Sequence, residues 1–386
     1  MKLVLTAARA YTPLDEVRHP ILVVEDGVIS VFGPRDAITV PTGAQVIDFG
    51  DSILAPGFVD IHVHGGAGQD VMQASDSALA AIGSHLAKQG VTSYCPTTVT
   101  APVDKTLASL ERLGVAVKGG GAAGRAQPLG LHLEGPFISA AKCGVHPVAD
   151  IQAPSVELFE RLREASGNTV RIMTVAPELP GAAQLIATAK RNGVRLSLGH
   201  SDATTAPTQA AIDAGATHAT HTFNAMRSLD HRDPGILGIT LTDDRLSADI
   251  IADGIHVAPD MIKLFLTLKG EERAVLITDA ISASGMPEGR YKLGAFEVDV
   301  RDGRCTYNGR LAGSVLKMDR AVRNIMDFAG WPLQRALRLA TLNPARVIGR
   351  DDRKGALAVG KDADIVALSP HGEVLATLCR GVRLQG

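Results

Sequence analysis

Eight short apolar runs, each ending in polar or ionisable residues and each followed by a segment of helical period, recur between residues 55 and 349. In order they read VDIHVH, TSYCPTT, PLGLHLEGP, VRIMTVAPE, VRLSLGHSD, HATHTFNAM, LSADIIADG and AVLITDA. Strands of this length separated by Ala-, Leu- and Arg-rich helical stretches imply a parallel sheet, because a crossover helix lets consecutive strands run in one direction. Eight such units predict an α/β fold, a (β/α)8 TIM-like barrel. A doubly wound open sheet would account for the alternation but not for chemistry at so many strand ends.

The two ends of the chain differ from this middle. LVLTAARAYT, HPILVVEDGVISVFG and AQVIDFG near the start, and GALAVGKDADIVALSP and EVLATLCRGVRL near the finish, read as strands. Asp26-Gly27 marks a hairpin turn. The expected division is a small β-sandwich domain formed from both chain termini, residues 1–54 and 350–386, beside a barrel domain of residues 55–349.

Composition narrows the partners. A chain of 386 residues with 45% hydrophobic content can bury a sizeable core, and its net charge of −2 gives no global attraction for nucleic acid or an anionic membrane. An anionic ligand must therefore be held by local groups. The amino-terminal apolar segment is too short for a signal sequence, and there is no apolar run of about 18 residues for a membrane span. Cys95, Cys143, Cys305 and Cys379 are scattered without a CxxC pair, so neither a disulfide framework nor a cysteine zinc site is expected. A cytoplasmic location follows as the expectation.

The first run raises the chemical question. Val59 to His64 alternates with period two, so Val59, Ile61 and Val63 form one strand face and Asp60, His62 and His64 the other. In a parallel barrel the carboxyl ends of the strands open onto one mouth. The strand ends deliver His62 and His64, Glu134, His200, His221 and Asp279 there. Singly each has a plainer reading: His200 could bond loop backbone, and Asp279 could cap the following turn. Together, four imidazoles and two carboxylates suit zinc or ferrous iron, one ion or two about 3.5–4 Å apart, with Glu134 as the bridging carboxylate. Asp60 and His132 belong one layer deeper as support, and the odd spacing of His218 from His221 marks His218 as structural.

The motifs PGFVDIHVHG, a late pair of histidines and a final-strand aspartate resemble the amidohydrolase superfamily of metal-dependent hydrolases. More narrowly, LHLEGPF, GHSDAT, THTFNAM, IADGIHV, LITDA and the terminal ATLNPARVIG…KGALAVGKDADIVAL resemble the N-acetylglucosamine-6-phosphate deacetylase family over essentially the whole chain. That resemblance implies metal-dependent hydrolysis of N-acetyl-D-glucosamine 6-phosphate to D-glucosamine 6-phosphate and acetate, in amino-sugar catabolism and cell-wall sugar recycling. It implies that Glu134, His200 and His221 bind one divalent ion, Zn2+ or Fe2+, and that Asp279 is the catalytic acid/base. His62 and His64, absent from some members, are compatible with a second ion.

By the same resemblance His146, in KCGVHPV, and His256, in DGIHV, contact substrate. Arg232, in DHRDPG, matches the arginine that reaches the phosphate from the neighbouring subunit, which implies a homodimer; Arg227 is the competing candidate. Asn224 and Ala225 follow His221 in a turn whose backbone N–H groups could face an anion. Cys143, in the loop of His146, has no base placed beside it and reads as a small loop residue. The rival readings are a cyclic amidase or deaminase with the same ligands but no use for the phosphate features, and a non-catalytic scaffold, which would be expected to have lost ligands.

Overall fold

The computed structural model describes residues 2–73 and 75–384. Eight parallel strands form the barrel: β1 (Phe58–Val63), β2 (Val91–Thr98), β3 (Leu131–Glu134), β4 (Val170–Val175), β5 (Arg195–Leu198), β6 (His218–Ala219), β7 (Ser247–Ile251) and β8 (Ala274–Ile277). Each pairs in parallel with the next around the ring. The ring closes at its mouth, where Val63 bridges Ala280 in parallel and the Asp279 N–H donates to the His62 carbonyl at 3.0 Å.

All six residues of β1 are buried. Its alternation therefore separates two buried surfaces rather than a core from solvent, as expected where helices cover a parallel sheet. Val59, Ile61 and Val63 join the large apolar cluster between strands and helices, which leaves Asp60 and His62 on the other, equally buried face.

The covering helices include α1 (Asp76–Ala87), α2 (Val103–Gly119), α3 (Val156–Ala165), α4 (Ala182–Arg191), α5 (Thr205–Ala214), α6 (Gly235–Thr242), α7 (Pro259–Arg273) and α8 (Met318–Ala329), with Leu333–Ala340 and Leu342–Val347 packed over β1 and β8. Local chemistry fixes their ends. Ser75 and Ser155 cap α1 and α3 by accepting the N–H of Ala78 and Leu158, each at 3.2 Å. α8 stops at Gly330 in the left-handed conformation, φ 68°. It buries Met318, Ala321, Val322 and Ile325, an i, i+3, i+4, i+7 stripe in which each large side chain contributes about 1.5–3 kcal/mol.

The terminal segments build two further sheets. One orders Val28–Pro34, Pro20–Glu25, Lys2–Thr6 and Gln45–Asp48. In the other, Ile53–Pro56 pairs in parallel with Arg9–Tyr11 and antiparallel with Ile365–Leu368, so both chain ends share one sheet. Leu5, Leu22 and Ile29 from the first sheet pack with Leu54, Ile365 and Leu378 from the second. The expected hairpin at Asp26-Gly27 has both residues at positive φ, 50° and 79°.

Between β8 and α8 the chain adds an antiparallel meander that the strand–helix alternation does not anticipate: Gly289–Leu293, Phe296–Arg301, Arg304–Tyr307 and Arg310–Leu311. Its last two turns carry Asp302-Gly303 (φ 51° and 71°) and Asn308-Gly309 (φ 49° and 75°), the sequence chemistry of two-residue hairpins. Leu293, Val298 and Cys305 of the meander pack against Met72, Val99 and Ile281 at the barrel mouth.

Candidate metal centre and substrate cavity

The six ionisable residues expected at the mouth converge there, with exposures of 0–8%. His62 lies within β1, Glu134 ends β3, and His64, His200, His221 and Asp279 fall one or two residues beyond their strands. Three of them have left-handed backbone: His200 at φ 45°, His221 at φ 30° and Asp279 at φ 51°. For residues with a Cβ that conformation costs on the order of 1–3 kcal/mol each and is held only where surrounding structure enforces it. It ends each strand abruptly and brings the side chain over the barrel axis. Strand parity does not extend to His221, because β6 stops at Ala219. His218 is buried with both ring nitrogens engaged, by Ser247 Oγ at 2.7 Å and Asp249 Oδ2 at 2.9 Å. His132 is likewise spent on the Ile61 carbonyl and Thr174 Oγ1, and Asp60 accepts from Thr278 Oγ1 at 2.6 Å one layer below the mouth.

The convergent groups form two triplets, His62–His64–Asp279 and Glu134–His200–His221, each with its ligating atoms within 4.8 Å of one another. Glu134 lies between them. Its Oε1 is 2.9 Å from His221 Nε2, 3.1 Å from His200 Nε2 and 3.5 Å from His62 Nε2, and its Oε2 is 3.2 Å from His64 Nε2. Asp279 Oδ1 is 3.2 Å from His64 Nε2.

Hydrogen bonds orient the imidazoles. His64 Nδ1 meets the Thr97 carbonyl at 3.2 Å, His200 Nδ1 that of Lys142 at 2.9 Å, and His221 Nδ1 that of Asn224 at 3.2 Å. A carbonyl only accepts, so each Nδ1 carries a proton, and whenever the ring is neutral its Nε2 lone pair faces inward. Yet the Nε2 atoms of His62 and His64, and of His200 and His221, approach to 3.1 Å. Nitrogens that close need a proton or a metal cation between or beside them. Imidazole and carboxylate donors so arranged fit a divalent transition-metal ion.

Electrostatics of the protein alone point the same way. Burial opposes ionisation of Glu134, but His62 and the hydrogen bonds from His146 and His200 hold its carboxyl well below the usual range. Burial likewise opposes a charge on Asp279, while His64 and His62 bring it down to about 2. For His64, burial is outweighed by bonds to Asp279 and Glu134, which push it up to about 10. Two anionic carboxylates in a buried pocket thus draw in positive charge.

His146 behaves differently. The Thr100 backbone N–H donates to His146 Nδ1 at 3.1 Å, so the proton of the neutral ring resides on Nε2, 3.3 Å from Glu134 Oε2. His146 faces the centre as a donor, not as a lone pair.

The cavity above these residues is lined by the polar Asn224 and His256 with Ala225, and by the apolar Val99, Val145, Ile251, Leu293 and Leu311. His256 is anchored by Asp253, whose Oδ2 lies 2.6 Å from Nδ1, leaving Nε2 for the cavity. One expectation needs correction. The Asn224 backbone N–H is committed to the His221 carbonyl at 2.9 Å, because the turn closes back on the histidine, so Asn224 can offer an anion only its side chain. Ala225, at φ 50°, makes no such bond through its N–H among the described residues. Arg232 is exposed and lies outside the cavity lining of its own chain. Arg227 sits between Asp202 and Asp233, at 3.6 and 3.7 Å. Cys143 is half-buried, and its thiol donates to the Gly144 carbonyl at 3.7 Å.

Sequence reasoning passed over Thr100, Asp249 and Asp253, which position His146, His221 and His256. Only Asp253 carries a local signal, an aspartate three residues before the histidine whose N–H it accepts at 2.7 Å.

Comparisons with known proteins agree with this geometry. The amidohydrolase family pattern matches residues 53–384. An N-acetylgalactosamine-6-phosphate deacetylase of Escherichia coli O157:H7 is 41% identical over 366 residues, 95% of this chain and 94% of that protein. The N-acetylglucosamine-6-phosphate deacetylase of Bacillus subtilis (strain 168) is 38% identical over 377 residues, 96% and 94% of the two chains. The Mycobacterium smegmatis N-acetyl-D-glucosamine-6-phosphate deacetylase, solved as a variant in complex with N-acetyl-D-glucosamine-6-phosphate, superposes with a TM-score of 0.92 at 35% identity, covering 100% of both chains. With the barrel, the two ligand triplets and these matches over nearly its full length, the chain belongs to the amidohydrolase family and, within it, to the N-acetylglucosamine-6-phosphate deacetylase group.

Proposed function

We propose that this chain hydrolyses the acetamide of N-acetyl-D-glucosamine 6-phosphate, adding water across the C–N bond to give D-glucosamine 6-phosphate and acetate. The observation that carries this reading is Glu134 standing within 3.5 Å of five imidazoles at the mouth of a cavity that Asn224 and His256 also line. Glu134, His200 and His221 would hold one divalent ion, Zn2+ or Fe2+, and His62, His64 and Asp279 a second. An ion there supplies Lewis acidity, lowering the pKa of a water toward about 7 and polarising the acetyl carbonyl.

The chain's own groups do the rest. Asp279, ionised at working pH, takes the proton from the attacking water and delivers it to the departing amine nitrogen. His146, with its proton on Nε2, donates to the carbonyl oxygen as negative charge develops there. The Asn224 side chain, the Ala225 N–H and His256 hold the sugar and phosphate, and Arg232 completes the phosphate site of the neighbouring subunit in a homodimer, where its fork suits phosphate oxygens. Four free cysteines support a reducing, cytoplasmic setting, and among the described residues no helix is long and apolar enough to cross a membrane.

A second reading keeps the chemistry and changes one sugar carbon: a relative 41% identical is named for the galacto epimer. Acetate release by the metal-loaded protein from N-acetylglucosamine 6-phosphate, N-acetylgalactosamine 6-phosphate and unphosphorylated N-acetylglucosamine tests both. Fast release from the gluco phosphate alone is expected. Preference for the galacto phosphate selects the second reading, and no release from any of the three returns the chain to a cyclic amidase or deaminase substrate.

A further inference from the structure

We propose that the meander Gly289–Leu311 supplies, through Leu293, the wall that limits the length of the acyl group this site accepts. The inference rests on the deacetylase reading and goes beyond it to substrate selection. The carbon under attack carries three substituents: the oxygen, the nitrogen leading to the sugar and phosphate, and the acyl chain. The polar groups available to sugar and phosphate come from the segments after β6 and β7, namely Asn224, Ala225 and His256. Val99 and Val145 come from the segments after β2 and β3, on the opposite side of an eight-stranded ring, and Leu293 and Leu311 of the meander line the same cavity. With the sugar held toward β6 and β7, the acyl chain turns toward the aliphatic side, where a methyl group leaves water.

This side is built to stay in place. Leu293 is 2% exposed and packs in one cluster with Val99, Ile281 and Val298. The next residue, Gly294, lies at φ 57°, and a Cβ there would come within 2.7 Å of Val99 Cγ2, so the meander turn rests directly on the end of β2. The Gly294 N–H donates to Asp70 Oδ2 at 2.7 Å, and Asp70 Oδ1 accepts the Met72 N–H, also at 2.7 Å. Asp70 is itself buried. A turn pinned by a buried carboxylate cannot recede to admit another methylene, and a packed interior resists such overlap. One methylene in a fitted pocket is worth roughly 10–200-fold in discrimination.

The test compares kcat/KM for the N-acetyl, N-propanoyl and N-butanoyl derivatives of glucosamine 6-phosphate, using zinc-loaded full-length protein. The wild type is expected to favour acetyl over propanoyl by about tenfold or more. Leu293→Ala is expected to lower that ratio at least fivefold, a change that general loss of structure would not produce. Leu311→Ala, at a more exposed position, is expected to shift the ratio in the same direction and stands in if the first variant does not fold. Equal wild-type turnover of acetyl and propanoyl substrates overturns the proposal without any variant. Acetate release with an unchanged ratio in folded variants overturns the wall alone, whereas no acetate release by the wild type overturns the deacetylase reading and the wall with it.

Discussion

The backbone N–H of Thr100 points at Nδ1 of His146, 3.1 Å away, and thereby decides which nitrogen of that ring carries the proton. His64, His200 and His221 face backbone carbonyls through Nδ1, whereas His146 accepts a backbone N–H there. Its Nε2–H is then a fixed donor facing the centre, 3.3 Å from Glu134 Oε2, and in the proposed reaction it would meet the developing oxyanion. His146→Gln is expected to retain bound metal and lose about 10²–10³ in kcat, the size of effect seen when one such donor is removed. Thr100→Val, which deletes only the hydroxyl 2.8 Å from Nδ1 and keeps the amide, is expected to cost a few-fold. Metal content measured beside the kinetics separates the roles: a drop in kcat matched by lost metal in His146→Gln would make His146 a ligand instead.

Asp279 is held ionised by His64 and His62 despite its burial. An asparagine of the same shape keeps an oxygen toward the centre but cannot relay a proton. Asp279→Asn is therefore expected to bind metal and lose at least 10³-fold in turnover. Turnover within tenfold of wild type would remove it as the acid/base.

Asp249 acts on His221 without touching the cavity. Its Oδ1 accepts the His221 N–H, and its Oδ2 is gripped by His218 Nε2 at 2.9 Å. This bond holds the residue whose backbone stands at φ 30°. Asp249→Asn replaces one acceptor by a donor and is expected to weaken metal affinity about 10–100-fold, read by chelator competition. An unchanged affinity would leave Asp249 a purely structural residue.

The contrast between these residues explains what could be read from the sequence. His62 and Glu134 lie within strands, where a period of two assigns faces directly. His200, His221 and Asp279 lie beyond their strands, and their aim depends on left-handed backbone that no periodicity reports. The partners that orient His146 and His221 are 46 and 28 residues away, so neither Thr100 nor Asp249 carries a local mark. The meander turns were legible in Asp302-Gly303 and Asn308-Gly309, but its docking through Asp70 and Gly294 spans 224 residues. Strand-like composition at both ends of the chain pointed to a joint β-structure. The pairing of Val366 with Ala55 that joins them is a tertiary choice.

Arg232 is exposed on the segment between His221 and α6. In the proposed homodimer this guanidinium would serve the phosphate site of the neighbouring subunit. Arg232→Ala is expected to lower kcat/KM for a phosphorylated substrate by at least tenfold, with little change on the unphosphorylated sugar. Mixing Arg232→Ala with Asp279→Asn subunits is expected to restore activity in hybrid dimers, since one site then has both groups. Equal losses on both sugars, or no restoration, would return Arg232 to the surface.

Lys269 gives a pH dependence unconnected with the metal centre. It is 1% exposed in α7, and its Nζ donates to the carbonyls of Thr240 at 2.8 Å and Asp243 at 3.0 Å, at the carboxyl end of α6. A cation suits that helix end, but burial, with Arg273 nearby, lowers its pKa from 10.5 to about 8. Between about pH 8 and 10.5 the unfolded chain still holds a proton that the folded protein has released, so this site's contribution to stability rises with pH across that window. Below about pH 8 the full cost of the buried charge is present. Urea unfolding of wild type and Lys269→Met from pH 7.5 to 10.5, at fixed metal concentration, is expected to show the difference moving in favour of wild type by on the order of 1–3 kcal/mol as pH rises. Parallel profiles would mean that Lys269 titrates as an exposed lysine does, with its hydrogen bonds to α6 offsetting the burial.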